Sequence, residues 1–435
     1  MVPTRRFWLL VALGIPIAAL GAQVRAPLFG LVYDVALVLA AWVTLALAPS
    51  PKSLRVTRKF DPGRSVRVSN KIEVTVVNDG TQMVSMLIRD EPPPSFSTLD
   101  NEKSMSMRPG FEQDFSYSTT PFDRGGDYFR GTFVRIQCPL GLVLKEAKLQ
   151  TEQPIRVYPN VLALREFDLL KQKGRLRELG IRRSRMRGLG TDFESLREYA
   201  EGDDFRKIDW KASARRGKLV VRQFEQEKNQ CVLICIDVGR QMLEEVNGVR
   251  KLDRALDACL MLTHAAANAG DLVGLLVYAD TVIRFIPPRK GRNQMGVIIE
   301  AIHDLVAEPI EPDPLAAMSY LSSKWKRRSL LVAFTDLDGP DGARKMVSGF
   351  GPLARRHLAL VARVSDPKLN ELYNQPLNDL PAFYERAAAD MMMSDRRTVS
   401  AILGSAGIHN LEAEPDDLSA ALVSFYFTVK ERSIL

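Results

Sequence analysis

The chain has 435 residues, 46% of them apolar and 26% charged, with a net charge of +8. That length exceeds one ordinary core and predicts two or three domains, and the balanced composition excludes a disordered or low-complexity chain. Residues 171–187 hold eight basic residues against a single acidic one, Glu178, so the positive charge is a local patch and not a nucleic-acid-binding domain. No aromatic residue interleaves with these arginines to stack on bases, which leaves a solvated connector, or a face for anionic lipid or an acidic partner.

Two apolar runs open the chain, at about 7–24 and 28–48, and predict a transmembrane helical hairpin over residues 1–50. Arg5 and Arg6 precede the first run, and Lys52, Arg55, Arg58 and Lys59 follow the second. This flanking charge places both ends in the cytoplasm and the short loop outside, in an inner membrane. The first run also has the make-up of a signal peptide. Asp34 falls within the second run and belongs near an interface, where a carboxylate stays wet.

Residues 54–160 alternate with a period of two. Strands are expected at 72–76, 111–119 and 128–137, with turns at 78–80 and 124–127, giving an antiparallel β-sandwich of immunoglobulin-like type. The glycines of Arg124-Gly125-Gly126-Asp127 serve backbone geometry.

Residues 161–228 read as a basic connector followed by a dense motif. Gly188, Gly190, Phe193, Leu196, Arg197, Tyr199, Gly202, Asp203, Asp204, Arg206, Ile208, Asp209, Trp210, Lys211, Ala212, Ala214 and Arg215 alternate charge with large apolar anchors. This spacing resembles the hallmark of the bacterial domain of unknown function 58 family, and the segment 124–142 resembles that family's second motif. One reading is structural, with Asp203 or Asp204 capping a helix, Trp210 buried, and Arg206 and Arg215 paired to carboxylates. The other is a docking surface in which Arg197, Arg206, Lys211 and Arg215 grip acidic groups of a partner. Tyr199 and Asp209 belong to either.

From 229 to 435, strands and helices alternate: a buried apolar strand at 231–237, a helix at 249–269, strands at 271–279 and 281–286, helices at 294–306 and 314–324, strands at 329–336 and 357–364, a helix at 380–403, a strand at 409–412 and a helix at 416–431. This predicts a doubly wound parallel sheet and resembles a von Willebrand factor A-like domain, so the fold class overall is α+β multidomain. The four cysteines (Cys138, Cys231, Cys235, Cys259) read as reduced, buried thiols.

The von Willebrand resemblance implies a Mg²⁺ site at the strand ends, built on an Asp-x-Ser-x-Ser turn, a threonine and a further aspartate. Asp237 and Asp336 keep the carboxylates. Gly239 and Gln241 replace the serines, and Pro312-Asp313 stands where the threonine is sought. The expectation is a degenerate site that holds Mg²⁺ weakly, or two aspartates that satisfy loop amides. No phosphate loop, nucleophile elbow or His-Glu-x-x-His motif is present in the sequence, and His264, His303, His357 and His409 are dispersed. The family resemblance implies a non-catalytic membrane-anchored adaptor working with a MoxR-type AAA+ ATPase in the assembly or remodelling of other complexes. The alternative is a hydrolase or metal-dependent enzyme with its site near Asp237 and Asp336. An extracellular metal-dependent adhesin fits neither the flanking charges nor the altered turn.

Overall fold

The computed structural model describes residues 1–435 except 24–27, 61–64, 173–179, 182–191, 201–202, 204, 226–229, 338, 377–378 and 433–435. The basic patch beyond Gln172, Gly188, Gly190, Gly202, Asp204 and Asp338 therefore lie outside the described residues. The chain divides into two units, Met1–Asn160 and Val161–Leu435.

In the first unit, helices Arg5–Gln23 and Leu28–Leu47 pack on each other. Gly30 permits the approach, since a Cβ there would stand 2.7 Å from the Ala18 Cβ. The Tyr33 hydroxyl donates to the Leu10 carbonyl at 2.8 Å. Leu28–Ser53 is the stretch long and apolar enough to cross a membrane among the described residues. Its outer surface exposes Val35, Leu39 and Trp42, which suits a lipid solvent.

The rest of this unit is built on two larger antiparallel sheets and a two-stranded one. One holds Leu54–Phe60, Asn70–Asn78, Glu112–Pro121 and Phe96–Leu99 in that order; the other holds Val2–Pro3, Val143–Leu149, Gly131–Gln137, Val84–Glu91 and Glu102–Met107. Alternate residues point inward, so Ile72, Val74 and Val76 of one sheet meet Met86, Ile88, Val134 and Ile136 of the other in a single core. The strand expected over 128–137 is two strands. Gly125–Phe129 pairs with Gln153–Val157, whereas Gly131–Gln137 joins the larger sheet. Gly131 makes the break, at φ 151 and with no room for a Cβ, which would lie 2.9 Å from the Leu149 carbonyl oxygen.

Arg58, counted above among membrane-flanking charges, is instead buried in the sandwich. Its guanidinium meets Asp90 at 2.6 Å and also donates to Thr132 and Thr151 hydroxyls and the Gly131 carbonyl, while Tyr117 donates to Asp90 at 2.7 Å. Such a pair holds its charge only because every donor has an acceptor.

The second unit is built on a six-stranded sheet, whose strands are numbered β1 (Cys231–Asp237), β2 (Leu272–Tyr278), β3 (Val282–Arg289), β4 (Leu330–Phe334), β5 (Leu358–Val364) and β6 (His409–Ala413). Their order is β3-β2-β1-β4-β5-β6, parallel throughout except for the antiparallel edge β3. Val232, Ile234 and Ile236 of β1 face helices Lys251–Asn268, Arg292–Ile302 and Leu418–Glu431, while Cys231, Leu233 and Cys235 face Pro314–Lys324, Gly339–Ala354 and Leu380–Ser405. Two buried faces explain why β1 is apolar at every position but its last. All four cysteines are free and buried, and burial pushes the Cys235 and Cys259 thiols up to about 12.

The segment after Asn160 is more than a connector. Helix Leu162–Gln172 seats Leu164 and Phe167 in the core of this unit. Asp168 meets His264 Nε2 at 2.7 Å, and Phe167 sets its ring edge-on to the imidazole, so His264 is a satisfied packing residue. At the opposite end of the sheet from the strand termini discussed below, Asp271 is fully buried and receives Lys430 at 2.6 Å and the Tyr426 hydroxyl, fastening helix Leu418–Glu431.

Candidate functional site

Strand order reverses between β1 and β4, so their carboxyl ends diverge into the crevice where α/β sheets gather ligands. The structure brings Asp237 and Asp336 to this crest, together with three residues that sequence reasoning did not place there: Thr335, Glu244 and Lys251. The Thr335 hydroxyl donates to Asp237 Oδ2 at 2.6 Å, and the Gly239 amide donates to Asp237 Oδ1 at 2.7 Å. Burial raises the Asp237 pKa to about 6, against the pull of those two hydrogen bonds. Asp336 accepts the Leu337 amide at 2.8 Å and the ammonium of Lys251, which also reaches Glu244. Burial opposes the Lys251 charge, yet the two carboxylates outweigh it and hold its pKa above the ordinary lysine value.

A Mg²⁺ ion needs a near-octahedral set of hard oxygens. Both Asp237 oxygens are engaged, and the Asp336 carboxylate carries an ammonium. Position 239 also has no space for a side-chain oxygen: a Cβ there would stand 2.8 Å from Pro312 Cδ and 2.9 Å from the Ile310 carbonyl oxygen. Gln241 is buried in a short 3₁₀ turn, and Asp313 caps helix Pro314–Lys324 through the Ala316 amide at 2.9 Å. Among the described residues no three His, Cys, Asp or Glu side chains stand together as a metal set. This donor set does not fit the ion. No threonine stands at Pro312-Asp313, and Thr335, beside Asp336, spends its hydroxyl proton on Asp237.

The hallmark forms a separate small structure. Strands Asp192–Glu198 and Val220–Glu225 pair antiparallel, and helix Trp210–Arg216 lies between them in sequence. Arg197 grips Asp203 bidentately, at 2.7 and 2.6 Å, and Asp203 also accepts the Ala200 amide at 2.9 Å. That hydrogen-bonded pairing raises the Arg197 pKa. Asp203 is thus not the helix cap; Asp209 is, accepting the Ala212 amide at 2.9 Å, and Gly217 at φ 65 closes the other end. Ser213 ties the helix to the second strand, accepting the Val220 amide at 2.9 Å. Ile208, Val220 and Val221 are buried.

Trp210 is not. It is 67% exposed, contrary to the burial expected of it, because the helix turns its first residue away from the strands that bury Ile208. Phe205, stacked obliquely on Tyr199 at 5.5 Å, is also exposed, as are Arg206, Lys211 and Arg215. The helix is capped and pinned from below, and it shows aromatic and cationic side chains above.

Residues 195–393 match the family described as "Protein of unknown function DUF58". The uncharacterized protein Rv1480 of Mycobacterium tuberculosis is 27% identical over 187 residues, covering 42% of this chain and 58% of that protein. The uncharacterized protein YeaD of Bacillus subtilis is 27% identical over 216 residues, covering 47% of this chain and 53% of that one. The chain thus matches little more than half the length of these relatives. Among solved structures, the conserved hypothetical protein BatB from Bacteroides thetaiotaomicron is 12% identical with a TM-score of 0.32, covering 46% of this chain and 98% of that one. An aerotolerance-related membrane protein from Bacteroides fragilis is 11% identical with a TM-score of 0.29, covering 46% and 99%. Across residues 195–393, then, this chain is similar to the DUF58 family, whose function its description leaves unknown.

Proposed function

We propose that this protein is a membrane-anchored adaptor with no bond-breaking chemistry of its own, and that the hallmark helix is its docking element. The observation that carries the reading is Trp210, exposed on a helix whose cap, end and underside are all fixed. An exposed tryptophan beside cations adds little to folding and suits the gripping of an acidic partner. Arg206, Lys211 and Arg215 supply the charge.

The partner implied by the family resemblance is a MoxR-type AAA+ ATPase, engaged in assembling or remodelling other complexes. The strand order of the second unit, with its antiparallel edge β3, supports a von Willebrand factor A-like domain, and the two packed antiparallel sheets support an immunoglobulin-like one. Arg5, Arg6 and Lys52 support two spans with the domains in the cytoplasm, even with Arg58 withdrawn into the sandwich. The adaptor reading is favoured over a hydrolase because the crest carboxylates are spent on internal hydrogen bonds and an ammonium.

Co-purification from gentle detergent extracts tests the reading. Wild type retains the ATPase; Trp210→Ala and the double variant Lys211→Glu/Arg215→Glu lose it while melting at the wild-type temperature. Equal retention by those variants, or a wild type that retains no ATPase, overturns it.

A further inference from the structure

Helix Leu380–Ser405 packs its later turns on helix Gly339–Ala354 and its first turns on Pro367–Asn374. Ala389, Val399 and Leu403 form its buried seam. A second apolar face points away from that seam. Leu380, Phe383, Tyr384 and Met391 are all more than half exposed, Met391 to 69%, and Ala387 continues the row between them. The spacing 380, 384, 387, 391 keeps these side chains in one line along the helix. Apolar residues scattered singly need no explanation, but a continuous row on one helix does.

Beside the end of the row, one turn on at Asp395, lies a charged cavity. Asp395 and Met392, the latter about 100° round the helix from Met391, line a space of about 220 Å³ at the carboxyl ends of β4 and β5, bounded also by Asp336, Asp366 and Glu412. The cations around it are engaged: Lys251 with Asp336 and Glu244, Arg363 with Glu412 at 2.7 Å, and Arg396 with Glu412 at 3.2 Å. The Asp366 carboxylate caps helix Pro367–Asn374 through the Lys368 amide, 3.0 Å away, and among the described residues Asp395 has no hydrogen bond or ion pair. Among the described residues, then, the Asp395 carboxylate beside the end of the apolar row has no cation.

We infer that this face receives an amphipathic helical segment of another protein, apolar along one side and carrying a lysine or arginine that enters the cavity beside Asp395. Helix-in-groove recognition uses this arrangement: apolar anchors at helical spacing give contact, and one buried charge fixes register. A bilayer surface is the poorer occupant. Helices that lie on membranes carry a lysine- and arginine-rich polar face, whereas on this one Asp379, Glu385, Asp390 and Asp395 balance Arg386, Arg396 and Arg397. The inference rests on the adaptor reading only in taking the occupant to be protein; it names a second face, distinct from the Trp210 helix.

The test uses the full chain in nanodiscs with ¹³C-methyl methionine, its Met391 and Met392 signals assigned from single Met→Leu variants. The probe is a synthetic 18-residue helical peptide with leucines at positions spaced 4, 3 and 4 apart and one lysine a turn beyond, compared with the same peptide carrying glutamate in place of lysine. The lysine peptide shifts both methyl signals and binds about tenfold more tightly than the glutamate peptide, as one desolvated charge pair provides. Asp395→Asn narrows that gap, and Met391→Glu removes binding while leaving the other methionine signals in place. The inference is overturned by unmoved methyls, by equal binding of the two peptides, by broadening of these methyls from spin-labelled lipid, or by broadening that grows with protein concentration alone. The readout involves no ATPase, so failure to retain the ATPase sinks the adaptor reading and leaves the methyl shifts to decide this face.

Discussion

Thr335 and Asp237 are joined across the seam of β1 and β4 by a 2.6 Å hydrogen bond, hydroxyl to carboxylate. The bond closes the crest from within: it occupies an oxygen that a metal would need and holds the two strand ends together where their helices diverge.

The first prediction concerns pH. Asp237 sits near 3.8 in an unfolded chain and is raised to about 6 here, mainly by burial. A carboxyl raised on folding contributes stability that is fully present below its unfolded pKa and is lost as pH rises through the folded one. The wild type therefore loses stability between about pH 4 and 6 on this account. Asp237→Asn keeps both hydrogen bonds, because its amide can donate to Thr335 while that hydroxyl turns to the Asp336 carbonyl, 3.1 Å away. The variant should be more stable than wild type at pH 7 by roughly 2–3 kcal/mol, and equal to it near pH 3. Urea unfolding across this range checks it; a variant less stable than wild type at pH 7 would show that the charge itself is used.

Restoring a serine at position 239 should fail. Its Cβ would press on Pro312 and the Ile310 carbonyl, so Gly239→Ser should cost about 1–3 kcal/mol by overpacking and bring no Mg²⁺ affinity. A calorimetric titration that showed tight Mg²⁺ binding by the variant would contradict the crest geometry.

Lys251→Met removes the ammonium from Asp336 and Glu244. The half-buried Asp336 is left uncompensated, at a cost of about 1–3 kcal/mol. If Lys251 supplies the cation of this crest, wild type gives no Mg²⁺ heat at millimolar concentration. Saturable binding by wild type, with Lys251 in place, would disprove that.

In the sandwich, Arg58→Met leaves Asp90 buried with Tyr117 and Thr132 but no cation. Loss of one member of a buried pair costs about 3–5 kcal/mol. Adding Asp90→Asn should recover part of it, because the stranded charge is gone. Thermal melts of the two variants, with no recovery in the double, would mean that the guanidinium acts through packing alone.

Much of this architecture is legible in the chain itself. Continuous apolar runs marked β1, β4 and β5, and alternation over 72–76 marked the strand Asn70–Asn78. The failures are instructive. Helix Gly339–Ala354 reads as loop because it carries Gly339, Gly342, Gly349, Gly351 and two prolines. One of those glycines is forced by packing: a Cβ on Gly349 would lie 2.5 Å from the Pro314 carbonyl oxygen. Lys251 could not be read as part of the crest, because only the path from β1 through the following turn returns the start of its helix to Asp336. Trp210 was misread for another reason. An aromatic in a dense motif suggests a core, and nothing local distinguishes one that a short helix turns outward.

The bond between Lys430 and Asp271 spans 159 residues of sequence, and that separation sets a timetable for synthesis. The ribosome releases Asp271 long before the lysine that neutralises it, and at 5–20 residues per second the interval is roughly 10–30 s. Until then the nascent domain carries that carboxylate without its cation where helix Leu418–Glu431 must seat, so the sheet waits on that helix before it can become dry.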